Sequence, residues 1–261
     1  MEYQSILLEH RESGVAILTL NRPETLNSLT MDMADEIIDA CAQIERDSSV
    51  KTLILTGAGR GFSSGGSIEG VNTMQELASA RAAVEKIAEM VTAVFHMRKI
   101  VICALNGTVA GASIALALAC DLILASEKAS FVFPFTRLGF CPDCGCSYLL
   151  TRLIGYRKTA ELIYFGKPLG AEEAKQIGAI NDTCVQEQLL SCAIDWAEML
   201  SAGPSVALEM DKALLRRAQW PDFERHLLYE NTCQILACQT SDFREGITAY
   251  REKRTPIFTG K

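Results

Sequence analysis

The chain has 261 residues, of which 22% are charged, and its formal net charge is −7 at pH 7. Its length allows one large domain or two small ones. The acidic balance argues against nucleic-acid binding, which depends on a basic face.

Segments in the first half of the chain alternate between strand and helix patterns. Short β-branched runs bounded by turn residues predict strands, and apolar residues at helical spacing predict amphipathic helices. The predicted strands are 14–20, 50–56, 100–104 and 122–125, and the predicted helices between them are 30–46, 76–97 and 113–119. Such alternation is typical of an α/β core.

From about residue 145 the pattern changes to helices alone. They are predicted at 145–155, 158–165, 171–177, 186–201, 204–218 and 221–238. A helical tail of this kind packs either on the α/β core or on another subunit.

The most apolar stretch, residues 100–125, predicts buried core and not a membrane span. Asn106, Gly107, Gly111 and Asp121 interrupt it, whereas a span needs about 20 nearly uninterrupted apolar residues. The first residues lack the charged and apolar regions of a secretory signal. No peroxisomal signal follows at the C-terminus, and we therefore expect a cytoplasmic protein without a membrane partner.

The ten cysteines are scattered, which predicts buried free thiols. Cys141, Cys144 and Cys146 form a C-x-x-C-x-C group. No second C-x-x-C or histidine pair is near them in sequence to complete a tetrahedral site. We expect no metal.

Two glycine-rich turns, 62–68 and 106–113, lie where a strand ends, and the second leads into an apolar helix. Backbone N–H groups at the start of a helix have no intrahelical partner. Two such turns facing one point could donate hydrogen bonds to a single oxygen, as an oxyanion hole does. The alternative is that the glycines only permit tight turns and close packing.

Asp143 follows Pro142 and precedes a predicted helix. One interpretation is an N-cap, whose carboxylate accepts hydrogen bonds from the first helical turn. The other is a general base whose pKa is raised by burial among apolar neighbours.

The order of several motifs resembles the crotonase (enoyl-CoA hydratase/isomerase) superfamily. The resemblance covers the chain from about residue 3 to its end. The motifs are R-P-E with N-S-L, F-S-S-G-G, A-L-N-G-x-x-x-G, A-C-D-L-I-L-A-S-E-K-A-S-F, L-G-F-C-P-D-C-G, A-E-E-A-K-x-x-G-A-I and R-T-P-I-F.

The resemblance implies an α/β spiral of ββα units followed by C-terminal helices that pack subunits together. We expect residues 1–200 to form the spiral core and residues 201–261 a helical oligomerisation region, in a homotrimer or hexamer. The resemblance also implies an acyl-CoA thioester substrate. Coenzyme A is then the substrate's carrier, and no permanently bound cofactor is expected.

Carried over by position, the resemblance implies that the backbone N–H groups of Gly66 and Ala112 form the oxyanion hole. Asp143 occupies the position of the carboxylate in isomerase-type members. The residues expected to contact coenzyme A are Asn27, Ser64, Gly65, Ile68, Gly111, Lys253 and Phe258.

Departures from the family pattern at two positions argue against hydration as the reaction. Hydratases of this family place two glutamates around a water molecule, and those positions hold Ala115 and Phe135 here. Hydration is therefore not expected to be the main activity. Ser67 stands where many members have aspartate, which puts the anchoring of the first turn in question.

The sequence thus predicts an enoyl-CoA isomerase that shifts a double bond with Asp143 as acid and base. Ring-epoxide isomerisation, enoyl-CoA hydration and thioester hydrolysis are alternatives on the same carrier. A non-catalytic acyl-CoA-binding module is another.

Overall fold

The core of the structure, a computed structural model that describes residues 3–67, 70 and 74–260, is built from two β-sheets. The strands in chain order are β1 (Ile6–His10), β2 (Val15–Leu20), β3 (Thr52–Gly57), β4 (Gly61–Ser63), β5 (Ile100–Leu105), β6 (Thr108–Ala110), β7 (Leu122–Ser126), β8 (Ser130–Val132), β9 (Leu169–Gly170) and β10 (Asp182–Cys184). The larger sheet has the order β1-β2-β3-β5-β7-β10 and is parallel except for β1 against β2. The smaller has the order β4-β6-β8-β9.

Helices pack around these sheets. In chain order they are α1 (Met31–Arg46), α2 (Leu77–Phe95), α3 (Ala112–Leu118), α4 (Phe135–Leu138), α5 (Cys146–Ile154), α6 (Tyr156–Phe165), α7 (Ala171–Gln176), α8 (Leu189–Ser201), α9 (Ser205–Gln219), α10 (Phe223–Ala237) and α11 (Ser241–Glu252). In the described part of the chain, short 3₁₀ helices also lie between β2 and α1 (Pro23–Thr25) and between β10 and α8 (Gln186–Gln188).

A ββα unit recurs along the chain. β3, β5 and β7 each lie in the larger sheet, and each is followed by a short strand of the smaller sheet, β4, β6 or β8, and then a helix. The α/β spiral implied by the resemblance is confirmed. Because β4 and β6 are parallel neighbours, the turns after them lie at the same edge of the smaller sheet.

Alternating side chains of the central strands bury both faces of the larger sheet. Val15 and Ile17 of β2 pack with Ala193 of α8, whereas Ala16 and Leu18 point into the main core between the sheet and the other helices. The predicted central strands and helices are confirmed, with ends that differ by a few residues.

The prediction of helices alone after residue 145 is wrong. β9 extends the smaller sheet beside β8, and β10 pairs with β7 at the edge of the larger sheet. Strands of two or three residues are too short to show a period-2 pattern. The sequence patterns also missed β1, the short strands β4, β6 and β8, and α11, which begins after Thr240, where the Thr240 hydroxyl accepts the Phe243 N–H at 3.0 Å.

Asp121 joins the C-terminal helices to the core. Its carboxylate accepts hydrogen bonds from Lys212 at 2.6 Å and from Arg216 at 2.7 Å, both on α9. Asp121 thus ties α9 to the core by two charged contacts. The division between the spiral core and the helical oligomerisation region at residues 200 and 201 stays a prediction.

Among the described residues, no helix is long and apolar enough to cross a membrane.

Candidate active site

The first turn of the candidate site follows β4. The Leu29 N–H donates to the carbonyl oxygen of Gly65 at 2.8 Å, and the Ser67 N–H donates to that of Leu29 at 3.1 Å. These bonds form a parallel bridge between Leu29 and Gly66. In such a bridge the N–H of Gly66 points away from Leu29. The bridge through Leu29, and not an aspartate at position 67, anchors this turn.

The second turn follows β6 and opens α3. Gly111 has φ +56° and ψ −132°, a conformation that essentially only glycine adopts. Ala112 is the first residue of α3, so its N–H has no acceptor within the helix. Every residue of α3 is buried, and the helix is therefore fixed in the core behind this N–H.

The two turns are in direct contact. A Cβ atom on Gly65 would lie 2.5 Å from the carbonyl oxygen of Ala110. The buried hydroxyl of Ser113 lies 3.0 Å from the Ser63 carbonyl oxygen and accepts the Ala110 N–H at 3.1 Å. One side chain therefore connects the turn after β4 with the turn after β6.

Asp143 lies in the segment between α4 and α5 and is 8% exposed. Its Oδ1 atom is buried and has no hydrogen-bond partner within the described residues. Burial, and next the charge of Glu230, raise the pKa of Asp143 to about 7. A carboxylate in this state can exchange a proton near neutral pH.

The N-cap interpretation of Asp143 is wrong. The N-cap of α5 is Gly145, and no side chain in the cap position bonds the first turn. The Glu230 carboxylate on α10 takes that place instead, accepting the N–H of Gly145 and, at 2.8 Å, that of Ser147. Glu230 could not be identified from the sequence, because 85 residues separate it from Gly145.

The structure relates Asp143 to the second turn through helix packing. α5, which begins three residues after Asp143, packs against α3. Cys144 and Cys146 share the main core with Ala112. Burial raises the pKa of both thiols well above the usual value, so neither is an activated nucleophile.

The two positions where hydratases carry glutamates are apolar and fully buried. Ala115 lies within α3 and Phe135 begins α4, both with 0% exposure. Phe135 packs edge-on against Phe140, with ring centroids 6.2 Å apart. No carboxylate can reach into the site from either position.

Asn27 ties the segment between β3 and β4 to the backbone at Arg22. It is fully buried, its Oδ1 accepts the Arg22 N–H, and its Nδ2 donates to the carbonyl oxygens of Ala58 and Gly61, all at 2.9 Å. Its side chain is thus committed to backbone groups. Contact between Asn27 and coenzyme A stays a prediction.

The other residues predicted to contact coenzyme A do not lie in one cavity. Ser64 lines a cavity of about 190 Å³ together with Arg60 and Thr108, whereas Phe258 lines a separate cavity of about 280 Å³ beside α4. Lys253 is exposed at the end of α11. Ile68 lies outside the described residues.

No three histidine, cysteine, aspartate or glutamate side chains lie close enough together to hold a metal ion in the part of the chain that the structure describes. This includes Cys141, Cys144 and Cys146, which are free thiols.

Comparisons with known proteins agree with this architecture. The family model described as enoyl-CoA hydratase/isomerase matches residues 10–261. A 1,2-epoxyphenylacetyl-CoA isomerase of Escherichia coli K12 is 38% identical over 98% of both chains. A trans-2-decenoyl-[acyl-carrier-protein] isomerase of Streptococcus mutans is 32% identical over the whole of both. The crystal structure of an enoyl-CoA hydratase from Mycobacterium avium subsp. paratuberculosis superposes with a TM-score of 0.90 at 31% identity, covering 99% of this chain and 100% of the other.

Proposed function

Because the chain belongs to the enoyl-CoA hydratase/isomerase family, and so is a crotonase-family acyl-CoA enzyme, we propose that it is an isomerase that shifts a carbon–carbon double bond in an unsaturated acyl-CoA. The observation that carries the proposal is the buried Asp143 carboxyl, with its unpartnered Oδ1 and a pKa near 7.

Asp143 acts as both base and acid in this reaction. Its carboxylate takes a proton from C2 of a 3-enoyl thioester, and the electron pair moves onto the thioester oxygen as a dienolate. The protonated Asp143 then returns the proton to C4, and the double bond comes to lie between C2 and C3. One carboxyl group suffices, because the reaction only moves a proton from C2 to C4 and adds no water.

The N–H groups of Gly66 and Ala112 stabilise the dienolate. Both lie at adjacent turns whose geometry is fixed by contacts with the core, so they are oriented before charge develops on the thioester oxygen. Loss of one such donor typically costs about 3–4 kcal/mol of barrier. Coenzyme A is the carrier of the acyl group and is released with it.

Apolar side chains at positions 115 and 135 favour isomerisation over hydration. Hydration needs groups that hold and split a water molecule, and a buried alanine and phenylalanine supply none. Ring-epoxide isomerisation is a second candidate, because the relative from Escherichia coli is named for that substrate.

Exposed apolar residues on α9 and α10 support a homo-oligomer. Met210, Leu214, Leu215, Leu228 and Tyr229 are each between 63% and 71% exposed in the single chain. Exposed apolar side chains that adjoin one another mark a contact surface. Light scattering on the purified protein gives the number of subunits.

The proposed reaction is tested with trans-3-hexenoyl-CoA, crotonyl-CoA and 1,2-epoxyphenylacetyl-CoA. We expect the wild type to convert the 3-enoyl thioester, and Asp143→Asn to lose at least about 10²-fold in rate, as for the loss of a general base. Asp195→Asn, at an exposed position on α8, is the matched control and keeps full rate.

The other possible results of these assays distinguish the alternative functions. Turnover of the epoxide alone selects the second candidate, and rapid hydration of crotonyl-CoA contradicts the argument from positions 115 and 135. Full activity of Asp143→Asn rules out Asp143 as the base. Tight binding of coenzyme A thioesters without turnover of any substrate would identify a non-catalytic module.

A further inference from the structure

Helix α10 holds the Asp143 segment from both sides. Glu230 accepts the N–H groups of Gly145 and Ser147, which follow Asp143 in the chain. Gln234, one helical turn further along, accepts the N–H of Cys141, which precedes it, at 2.9 Å. Residues four apart lie on the same face of a helix, so one face of α10 spans the whole segment.

The fit between α10 and this segment is tight. A Cβ atom on Gly145 would lie 2.6 Å from the ring of Phe223, at the start of α10. Glu230 and Gln234 are 4% and 1% exposed. Because water does not reach these side chains, their hydrogen bonds must be made within the protein.

The hydrogen bonds distinguish the two buried carboxyl groups. Burial raises the pKa of Glu230, but its carboxylate accepts two backbone N–H groups and lies at the N-terminus of α5, and both of these favour its charged form. The Oδ1 of Asp143 has no partner within the described residues. These hydrogen bonds therefore favour the negative charge on Glu230 and the proton on Asp143 when the pair holds one proton.

Other groups near Asp143 do not replace the charge of Glu230. The thiols of Cys141, Cys144, Cys146 and Cys238 all have pKa values raised by burial, so they are neutral near pH 7. The Gln234 amide lowers the pKa of Asp143 by hydrogen bonding, whereas His226, whose Nε2 lies 3.0 Å from the Ser147 hydroxyl, lowers the pKa of Glu230.

We propose that Glu230 and Gln234 are positioning residues for the reaction: they hold the Asp143 segment against α10, and Glu230 supplies the fixed negative charge that makes Asp143 a strong enough base. The inference rests on the proposed function of Asp143. It adds a second, non-reacting carboxylate to the site, contributed by the C-terminal helices and not by the spiral.

The test uses two substitutions with opposite effects on charge. Glu230→Gln removes the negative charge while keeping size and one acceptor oxygen. Gln234→Glu adds a negative charge and keeps an oxygen for the Cys141 N–H. Glu224→Gln is the control, since Glu224 lies on the same helix, is 62% exposed and pairs with His96 at 3.1 Å. Initial rates are measured from pH 5 to 9.

We expect the acidic limb of kcat/KM to move to lower pH in Glu230→Gln and to higher pH in Gln234→Glu, each by about one unit, as expected for a charge next to the titrating group. The plateau rate of Glu230→Gln falls about 10-fold because its base is weaker. Glu224→Gln keeps the wild-type profile.

If Glu230 and Gln234 had a purely structural role, thermal stability would fall in both variants while the acidic limb of kcat/KM stayed at its wild-type pH. This result would overturn the inference. Should Glu230→Gln not fold, the shift in Gln234→Glu decides alone. Asp143→Asn is assayed in parallel: if it is fully active, the proposed function has failed; if it is inactive and the limb does not move, only the role of Glu230 and Gln234 has failed.

Discussion

Gly65 touches the backbone of Ala110, so closely that a Cβ atom on Gly65 would lie 2.5 Å from the Ala110 carbonyl oxygen. The contact brings the turn that carries the Gly66 N–H against the turn that carries the Ala112 N–H. No side chain at position 65 is compatible with this spacing.

Gly65→Ala should therefore disrupt the oxyanion hole. Gly65 has φ +84°, so alanine adds backbone strain as well as the clash. We expect kcat/KM to fall by about 10² or more, the loss typical of a misplaced donor. Gly178→Ala separates the two effects, because Gly178 has φ +80° and a Cβ atom there would meet nothing within 4 Å. It should cost about 1–2 kcal/mol of stability with unchanged kcat/KM, and an equal loss of activity in both variants would contradict the argument.

Ser113→Ala removes the hydroxyl that joins the two turns. The Ala110 N–H then loses its acceptor in a partly buried site, which we expect to cost about 1 kcal/mol in the free energy of unfolding and to lower kcat about 10-fold. Urea unfolding and steady-state kinetics measure both. Ser191→Ala is the matched control, since its exposed hydroxyl donates to the Gln188 carbonyl oxygen at 2.8 Å. A Ser113→Ala enzyme with wild-type kcat would show that the hydroxyl does not fix the turns.

The raised pKa of Asp143 makes stability depend on pH. Its usual value is 3.8 and its value in the folded protein is about 7, so between these values the folded state binds one proton more than the unfolded chain. Stability from this group is therefore present at low pH and lost as pH rises towards 7. Asp143→Asn does not titrate. Its free energy of unfolding relative to wild type should rise by about 2–3 kcal/mol between pH 5 and pH 8.

Urea unfolding at the two pH values measures this difference, with Asp195→Asn as the control that should show none. A pH-independent difference for Asp143→Asn would mean that Asp143 is already ionised at pH 5.

Asp121→Ala should detach α9 from the core. Lys212 is 5% exposed and would keep a buried charge without its carboxylate partner, although burial lowers its pKa. Breaking such a pair costs about 3–5 kcal/mol. Asp35→Ala provides the contrast, because it removes a 2.9 Å pair with Lys86 in which Asp35 is 62% exposed, and it should cost less than about 1 kcal/mol. An equal decrease in the denaturation midpoint of both variants would contradict this prediction, because the Asp121 contacts would then stabilise the protein no more than an exposed ion pair does.

The fold class and the functional groups available to the site can be predicted from the amino-acid sequence alone. The sequence shows directly which residues occupy the site positions: glycines at 65, 66 and 111, aspartate at 143, and apolar residues at 115 and 135. Regular strands and helices also follow from local patterns of apolar residues, which is why the central strands and the longer helices were predicted correctly.

How these parts meet depends on contacts that local sequence patterns do not predict. The contact between Gly65 and Ala110, the role of Glu230 in place of Asp143 as the cap of α5, and the unpartnered Oδ1 of Asp143 each join segments far apart in the chain. A buried carboxyl takes its pKa from whatever surrounds it in space. Residue 143 is thus an aspartate by sequence, and its titration near neutral pH comes from the burial and the charge that α10 provides.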